Sequence, residues 1–236
     1  MSTSKEQSLS RIQQNRCIDS MTTADTIYHQ LEPEFYDSSL KTLNPITSYY
    51  HSNRYAKIRR FICSRFHKKM TILDLGCGSS SWNINRLSVT GVDQNKDMLT
   101  YGMKKGYISK AVEWDLVKGP LPFKDEQFNF VVISEVLEHL DHPGMTIKEA
   151  HRVLKKGGFL IATVPLDTNF SLWQILFGIE CFLIGDLLGN EYYRKRCGHV
   201  QQFSVEKLAN IFEMNDFSVV DKDITIMNIG IIAERR

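Results

Sequence analysis

The sequence has few features that would separate it from ordinary globular proteins. Its five cysteines form no C-x-x-C pair among its 236 residues, which argues against a common zinc pattern and a disulfide framework. The formal net charge is only +2, so overall charge indicates no polyanionic partner. The N-terminus, Met1-Ser-Thr-Ser-Lys-Glu-Gln, is polar and predicts no signal peptide. We therefore expect a cytoplasmic protein without a bound metal.

Long hydrophobic runs are also missing. The longest uncharged run in the apolar segment 168–198 is Thr168–Ile179, with 12 residues, whereas a membrane-spanning helix needs about 20. The segment is nevertheless apolar on two helical faces, one of which carries Trp173 and Phe177. It is interpreted as a mobile hydrophobic lid, inserted at about 168–198, with both side chains directed to a pocket or a membrane rather than to the sheet. The alternatives are a tightly packed lid or peripheral membrane docking, with a basic cluster at the headgroups: Arg194, Lys195 and Arg196.

The N-terminal third lacks acidic residues where it is most basic. Residues 1–30 are polar and weakly periodic, which predicts a flexible arm. Residues 31–69 predict two cover helices, broken near Asn44-Pro45. Lys41–Met70 contains eight Lys or Arg residues and no Asp or Glu. The second helix is therefore a solvated cover, a cap over a cofactor pocket, or a contact for an anionic surface.

From residue 70 onward, short apolar runs alternate with helical patterns. Repeated strand–helix units of this kind predict a doubly wound α/β sheet with helices on both faces. The predicted strands are Thr71–Leu75, Val89–Asp93, Ile108–Asp115, Phe128–Ser134, Phe159–Pro165, Phe217–Asp223 and Ile226–Glu234. The predicted helices are Trp82–Leu87, Asp97–Lys105, Pro143–Lys155, where Lys155-Lys-Gly-Gly158 gives a glycine stop, and Val205–Met214.

The first strand and its turn predict a nucleoside site. Gly76 and Gly78 permit a tight turn directly after the strand that contains Asp74. Asp93 ends the second strand 19 positions after Asp74, which is the spacing at which a carboxylate accepts ribose hydroxyls. A dinucleotide site would place a third glycine near Ser81, and this sequence has none there.

The order of motifs resembles that of the small-molecule class I S-adenosyl-L-methionine (SAM) dependent methyltransferases, the methyltransferase type 11 group that includes quinone-biosynthesis enzymes. The resemblance covers about Thr71 to Arg236, within the predicted methyltransferase domain at residues 70–236, and implies a Rossmann-like sheet of seven strands with the last strand antiparallel. It also implies SAM as cofactor and S-adenosyl-L-homocysteine as product. Ser80 departs from the pattern, since many relatives have another small residue there, often glycine. The motifs are Ile72-Leu-Asp-Leu-Gly-Cys-Gly78, Gly91-Val-Asp93, Trp114-Asp-Leu116, Leu121-Pro-Phe123, Phe130-Val-Val-Ile-Ser-Glu-Val-Leu-Glu-His-Leu140 and Glu149-Ala-His-Arg-Val-Leu-Lys-Lys-Gly-Gly158.

The resemblance also assigns roles to individual residues. Asp74 would support the glycine loop or bind the SAM ammonium group, and Asp93 would bind the ribose. Outside the resemblance, Arg54 is a candidate partner for the methionine carboxylate if the second cover helix closes over the cofactor, because its planar guanidinium matches that group. The remaining cofactor-binding candidates are Gly76, Cys77 and Gly78 in the loop, Gln94, Asp115 and Leu116 around the adenine, and Ser134 at the end of the fourth strand.

The methyl acceptor is less well defined by the sequence. A general base is needed only for a hydroxyl or a protonated amine, and the preferred candidates are His139 and His199. The alternative for His139 is a structural role, in which its ring forms a hydrogen bond to the backbone at a turn. Further candidates in the same two regions are Glu135, Glu138 and His142.

Three functions follow from this reading. We expect a SAM-dependent methyltransferase for a small, hydrophobic or lipid-like acceptor, in a cytoplasmic enzyme that is membrane-peripheral if the lid docks. One alternative is a nucleic-acid (RNA) methyltransferase, although the position of an Asn-Pro-Pro-Tyr motif reads Ser134-Glu-Val-Leu. The other is a non-catalytic SAM-binding protein.

Overall fold

The computed structural model describes Tyr28 and residues 31–41, 45–168, 171–225 and 227–236. The predicted flexible arm, residues 1–30, lies outside this range except for Tyr28. The strands are β1 (Ile72–Leu75), β2 (Val89–Asp93), β3 (Lys110–Glu113), β4 (Phe128–Ser134), β5 (Leu154–Pro165), β6 (Phe217–Ile224) and β7 (Asn228–Arg235). The α-helices are α1 (Phe35–Lys41), α2 (Pro45–Arg65), α3 (Lys96–Lys105), α4 (Pro143–Val153), α5 (Leu172–Glu180), α6 (Glu191–Arg194) and α7 (Val205–Glu213).

The seven strands form one sheet in the order β3-β2-β1-β4-β5-β7-β6. Strands β1 to β5 are parallel neighbours, whereas β7 runs antiparallel to both β5 and β6. The predicted fold class, including the antiparallel last strand, is confirmed. The strand order reverses between β1 and β4, and ligands of open α/β sheets bind at the carboxyl ends of the strands at such a point.

Both faces of the sheet are covered, as predicted. On one face, Phe212 of α7 packs with Val131 and Ile133 of β4 in the larger core. On the other face, Ile58 and Ile62 of α2 are fully buried against the sheet. Burying a side chain of this size stabilises a fold by about 1.5–3 kcal/mol. Helix α2 is therefore part of the core of the protein and not only a solvated cover.

The predicted helix Trp82–Leu87 is wrong, because the chain follows turns from β1 to β2. The Asn83 side chain accepts a hydrogen bond from the Leu87 amide and donates to the Leu87 and Tyr107 carbonyls at 2.8–2.9 Å. Side-chain bonds of this kind compete with the helical pattern. Arg86 also has a left-handed backbone, with φ of 53°, which an α-helix does not accommodate.

The predicted glycine stop at residues 155–158 is also wrong. Helix α4 ends at Val153, and Leu154 already begins β5. Gly157 instead permits a left-handed corner with φ of 71° within the first part of β5. At Gly158, a Cβ atom would lie 2.8 Å from the Lys155 carbonyl oxygen. These two glycines therefore shape the start of β5 rather than the end of α4.

The predicted lid contains α5, a π-helical stretch (Cys181–Leu187), α6 and a short 3₁₀ turn (Arg196–Gly198). Trp173 and Phe177 are buried in a small cluster with Tyr50 and Met227, separate from the two sheet cores. The opposite face of the lid is exposed, for example at Ile179. Among the described residues, no helix combines the length and apolar character needed to cross a bilayer.

Candidate active site

The loop after β1 requires its two glycines. Gly76 and Gly78 have φ of 60° and 51°, in the left-handed region. A Cβ on Gly76 would lie 2.5 Å from Val136, and one on Gly78 would lie 2.7 Å from the Tyr36 ring. The loop is therefore packed between the segment after β4 and helix α1, and a larger residue at either position would distort it.

Asp74 supports this loop from below. Its carboxylate accepts hydrogen bonds from the Ser80 hydroxyl at 2.6 Å and from Trp82 Nε1 at 2.7 Å. Burial raises the pKa of Asp74 to about 7, although the two donors act in the opposite direction. Ser80, where the sequence departs from the resemblance, has a left-handed backbone and is one of these donors. The contribution of Trp82 was missed because a helix was predicted there.

Asp93 lies at the carboxyl end of β2 and is aimed at the same loop. Its carboxylate accepts hydrogen bonds from the backbone N–H of Gly78 at 2.7 Å and of Asn95 at 2.8 Å. It also accepts the Tyr28 hydroxyl at 3.0 Å. The carboxylate is thus buried, oriented, and able to accept an O–H group, which is the property that ribose recognition requires. The residues present fit SAM at this position.

Several predicted cofactor residues line one narrow cleft at the carboxyl ends of β1 and β4. Arg54 is buried in this cleft, donates to the Tyr55 hydroxyl at 3.1 Å, and lies 3.9 Å from the Glu135 carboxylate. The Cys77 amide donates to the Val92 carbonyl, and the Ser134 and Thr163 hydroxyls are 2.8 Å apart. The cleft is lined by Tyr36, Arg54, Tyr55, Asp74, Gly76, Cys77, Ser81, Trp82 and Ser134.

The residues predicted around the adenine lie outside the lining of this cleft. Asp115 accepts the Val117 amide at 3.0 Å and lies 3.5 Å from the Lys118 ammonium, so in this structure it stabilises a turn after β3. Leu116 packs its side chain against the larger core. Gln94 follows Asp93 and is half-buried. Their roles toward the adenine stay predictions.

Two buried carboxyl groups follow β4. Glu135 has a left-handed backbone, with φ of 57°, and its carboxylate accepts the Tyr50 hydroxyl. The Glu138 residue is 1% exposed, and neither carboxylate oxygen has a hydrogen-bond donor among the described residues. Burial raises the pKa of Glu135 well above its usual range and that of Glu138 to about 8. Such carboxyl groups are typical of functional sites.

The two predicted histidines lie together beside these carboxyl groups. The ring centroids of His139 and His199 are 5.0 Å apart. His139 Nδ1 lies 3.1 Å from the Gly198 carbonyl oxygen, so the backbone hydrogen bond considered from the sequence is present. Burial, reinforced by the neighbouring His139, lowers the pKa of His199 to about 3. His199 is therefore neutral at physiological pH.

A row of four stacked rings connects helix α2 with His199. The centroid distances are 4.5 Å for Tyr50–Trp173, 5.1 Å for Trp173–Phe177 and 5.4 Å for Phe177–His199, with interplanar angles of 11–21°. A cavity of about 570 Å³ opens at the Phe177–His199 end. The sequence did not indicate Tyr50, because nothing local shows that α2 meets the lid. The other residues that line this cavity are Asp167, Arg196, Val200, Gln201, Gln202 and Lys207.

Comparison with known proteins agrees with this geometry. Residues 73–162 match the model of a methyltransferase domain. The demethylmenaquinone methyltransferase of Listeria welshimeri is 28% identical over 173 residues, covering 66% of this chain and 73% of that protein. The enzyme of the same name from Staphylococcus aureus is 27% identical over 167 residues, covering 64% and 68%.

Solved structures show the same fold. A SAM-dependent methyltransferase from Thermotoga maritima, described as a possible histamine N-methyltransferase, has a TM-score of 0.58 and 19% identity, covering 85% of this chain and 100% of that chain. A possible exported protein from Bordetella parapertussis has a TM-score of 0.66 and 14% identity, covering 88% and 80%.

The fold, the match to a methyltransferase domain and the methyltransferase relatives together define the class of this protein. It is a class I SAM-dependent methyltransferase, as the sequence resemblance predicts. Its cofactor is SAM, and it is an enzyme that transfers a methyl group.

Proposed function

We propose that this enzyme methylates a small, flat, hydrophobic acceptor of the quinone or phenol type. The observation that carries the proposal is the row of four stacked rings from Tyr50 to His199. The faces of the inner rings are occupied by their neighbours, so a flat aromatic acceptor would extend the row at the end where Phe177 and His199 line the cavity. Stacked rings contribute about 0.5–1.5 kcal/mol beyond their buried area. The names of the Listeria and Staphylococcus relatives support the same class of acceptor.

The row of rings also offers a polar contact. Trp173 is 7% exposed, and its Nε1–H has no acceptor among the described residues. A buried donor of this kind costs about 1–3 kcal/mol unless a partner satisfies it. A carbonyl or hydroxyl oxygen of the acceptor would supply that partner. The nearby cavity of about 570 Å³ has the size of a small-molecule site.

When bound, SAM supplies an activated methyl group, so the protein mainly positions the acceptor and excludes water. For a hydroxyl acceptor, we assign proton acceptance to Glu135, because its carboxylate is buried beside Tyr50 at the start of the aromatic row. The predicted roles of His139 and His199 as bases stay predictions. The low pKa of His199, about 3, makes its ring a weak base.

The exposed face of the lid is our proposed contact with a membrane. Arg194 and Lys195 of the lid are exposed and would meet anionic headgroups, while Arg194 also pairs with Glu191 at 2.9 Å. A lipid-soluble acceptor would then pass from the bilayer to the cavity below α5. The exposed apolar side chains are Ile175, Ile179, Phe182, Leu183, Leu187 and Leu188.

A labelling experiment tests the acceptor class. The purified enzyme is incubated with methyl-labelled SAM and, separately, with a naphthohydroquinone, a long-chain demethylated quinol in detergent, and total RNA. We expect label in the organic extract of the first two reactions and none in RNA. Label in RNA alone would overturn the proposed acceptor but leave the enzyme class intact.

A further inference from the structure

A cluster of three potential metal ligands lies beside the cavity. Glu138 and His139 are adjacent in the 3₁₀ turn after β4, and His199 comes from the end of the lid. One ligand atom from each, a carboxylate oxygen and two imidazole nitrogens, lies within 4.8 Å of the other two. Two atoms bound to the same Zn²⁺ at about 2.1 Å can be at most about 4.2 Å apart. Small side-chain rotations would therefore bring all three atoms to one cation.

The orientation of His139 suits a metal ligand. Its Nδ1 lies 3.1 Å from the Gly198 carbonyl oxygen, and a carbonyl can only accept. Nδ1 therefore carries the proton, which leaves the lone pair on Nε2, and Nε2 lies 3.9 Å from Glu138 Oε1. Metal-bound histidines almost always donate their second ring N–H to a carbonyl or carboxylate in this way.

The carboxyl groups supply the second, independent observation. Both carboxylate oxygens of Glu138 are buried without a donor among the described residues, and so is Oε1 of Glu135. The neighbouring Val200 and Gln201 amides do not help, because both donate to the Glu138 backbone carbonyl. A buried carboxylate without a donor is unfavourable unless a cation or a proton compensates it.

We propose that Glu138, His139 and His199 bind a divalent transition-metal cation of the Zn²⁺ or Mn²⁺ type. Two imidazoles and one carboxylate favour such cations over Mg²⁺ or Ca²⁺, which prefer all-oxygen sites. The remaining coordination positions are free for water or for an oxygen of the acceptor. That last role rests on the proposed function, whereas metal binding itself does not.

The test measures metal binding directly, without SAM or acceptor. The full-length protein is treated with a chelator, dialysed against ZnCl₂ or MnCl₂, and analysed for metal by mass spectrometry. We expect about one equivalent per chain in the wild type. In parallel, Co²⁺ is added as a spectroscopic probe, and we expect d–d absorption bands that indicate nitrogen and oxygen ligands.

Two variants and one control locate the site. His199→Gln and Glu138→Gln should each weaken binding at least ten-fold, because each removes one ligand. His142→Gln removes an exposed histidine three residues from His139 and should bind like the wild type. If either ligand variant fails to fold, the metal stoichiometry of the wild type still tests the proposal. Less than about 0.2 equivalents in the wild type, or equal affinity in His199→Gln and wild type, would overturn the proposal.

Discussion

Asp93 gives the most direct test of the cofactor site. In Asp93→Ala, the carboxylate that we expect to bind the ribose is removed. In this structure, the donors to this carboxylate include the backbone N–H groups of Gly78 and Asn95 and the Tyr28 hydroxyl. The two amides hold the carboxylate in place, so a ribose hydroxyl would exchange with Tyr28 at the same oxygen.

The magnitude follows from that exchange. Hydrogen bonds to a charged group contribute about 1.5–3 kcal/mol each, and a ribose can offer two hydroxyls where Tyr28 offers one. We therefore expect Asp93→Ala to weaken SAM binding by about 2–3 kcal/mol, which corresponds to roughly 30- to 150-fold in Kd. Asp93→Asn should be nearly as weak, because an amide keeps only one acceptor oxygen and adds an N–H₂ group near the Gly78 amide.

Isothermal titration calorimetry measures both effects. The matched control is Asp97→Asn, which removes an exposed carboxylate from the first turn of α3. The control should bind SAM like the wild type. Each titration is done well below the thermal midpoint of the variant, since Asp93 also stabilises the glycine loop. An unchanged Kd in folded Asp93→Ala would refute the assignment of this carboxylate to the ribose.

Four further predictions concern the lid, the N-terminal segment and pH. Trp173→Ala should lower methylation of a quinol at least ten-fold in a radiometric assay without changing SAM binding by calorimetry. The control Ile175→Ala, on the exposed face of the lid, should leave both methylation and SAM binding unchanged. Tyr28→Phe should tighten SAM binding about three- to ten-fold by calorimetry, because the Asp93 oxygen loses an internal competitor. Phe182→Glu should reduce co-sedimentation with anionic vesicles, and equal sedimentation would exclude the lid as the contact. The pKa of Asp74 is raised to about 7, so the folded state holds the Asp74 proton more tightly than the unfolded state does. The free energy of unfolding should therefore fall between pH 4 and pH 7. Urea titrations of Asp74→Asn should show a smaller decline over the same range.

Deletion of residues 1–69 would be a poor test of whether the N-terminal helices cap the cofactor pocket. Ile58 and Ile62 of α2 are fully buried against the sheet, so their removal would expose a core surface. Point substitutions such as Tyr28→Phe change the contact with the cofactor site and leave that core intact. The structure therefore favours single-residue variants for this question.

The part of the fold that contains β1, the glycine loop and β2 could be predicted because its signals are local. The apolar run of β1, the two glycines and the acidic end of β2 lie within about 20 residues. Each of these short segments indicates its own strand or turn without reference to distant residues. Strand existence and sheet type followed from the same alternation. The prediction failed at Trp82–Leu87, where the Asn83 side chain replaces helical hydrogen bonds by its own.

The acceptor half could not be predicted in the same way, because its contacts join distant parts of the chain. The Tyr50 hydroxyl reaches Glu135 over 85 positions, and His139 reaches the Gly198 carbonyl over 59. No local pattern shows that α2 and the end of the lid both meet the turn after β4. These three segments come into contact only when the whole sheet has folded.

The turn from Glu135 to His139 links the two halves physically. Val136 packs against Gly76 of the cofactor loop, while Glu135 and Glu138 on either side face α2 and the end of the lid. A shift of this turn would therefore move the acceptor-side carboxyl groups and the floor of the cofactor loop together. Substitutions in the lid act on only one side of the turn. We accordingly expect changes in the lid to alter acceptor choice with SAM affinity preserved, and substitution of Val136 by a larger residue to impair both.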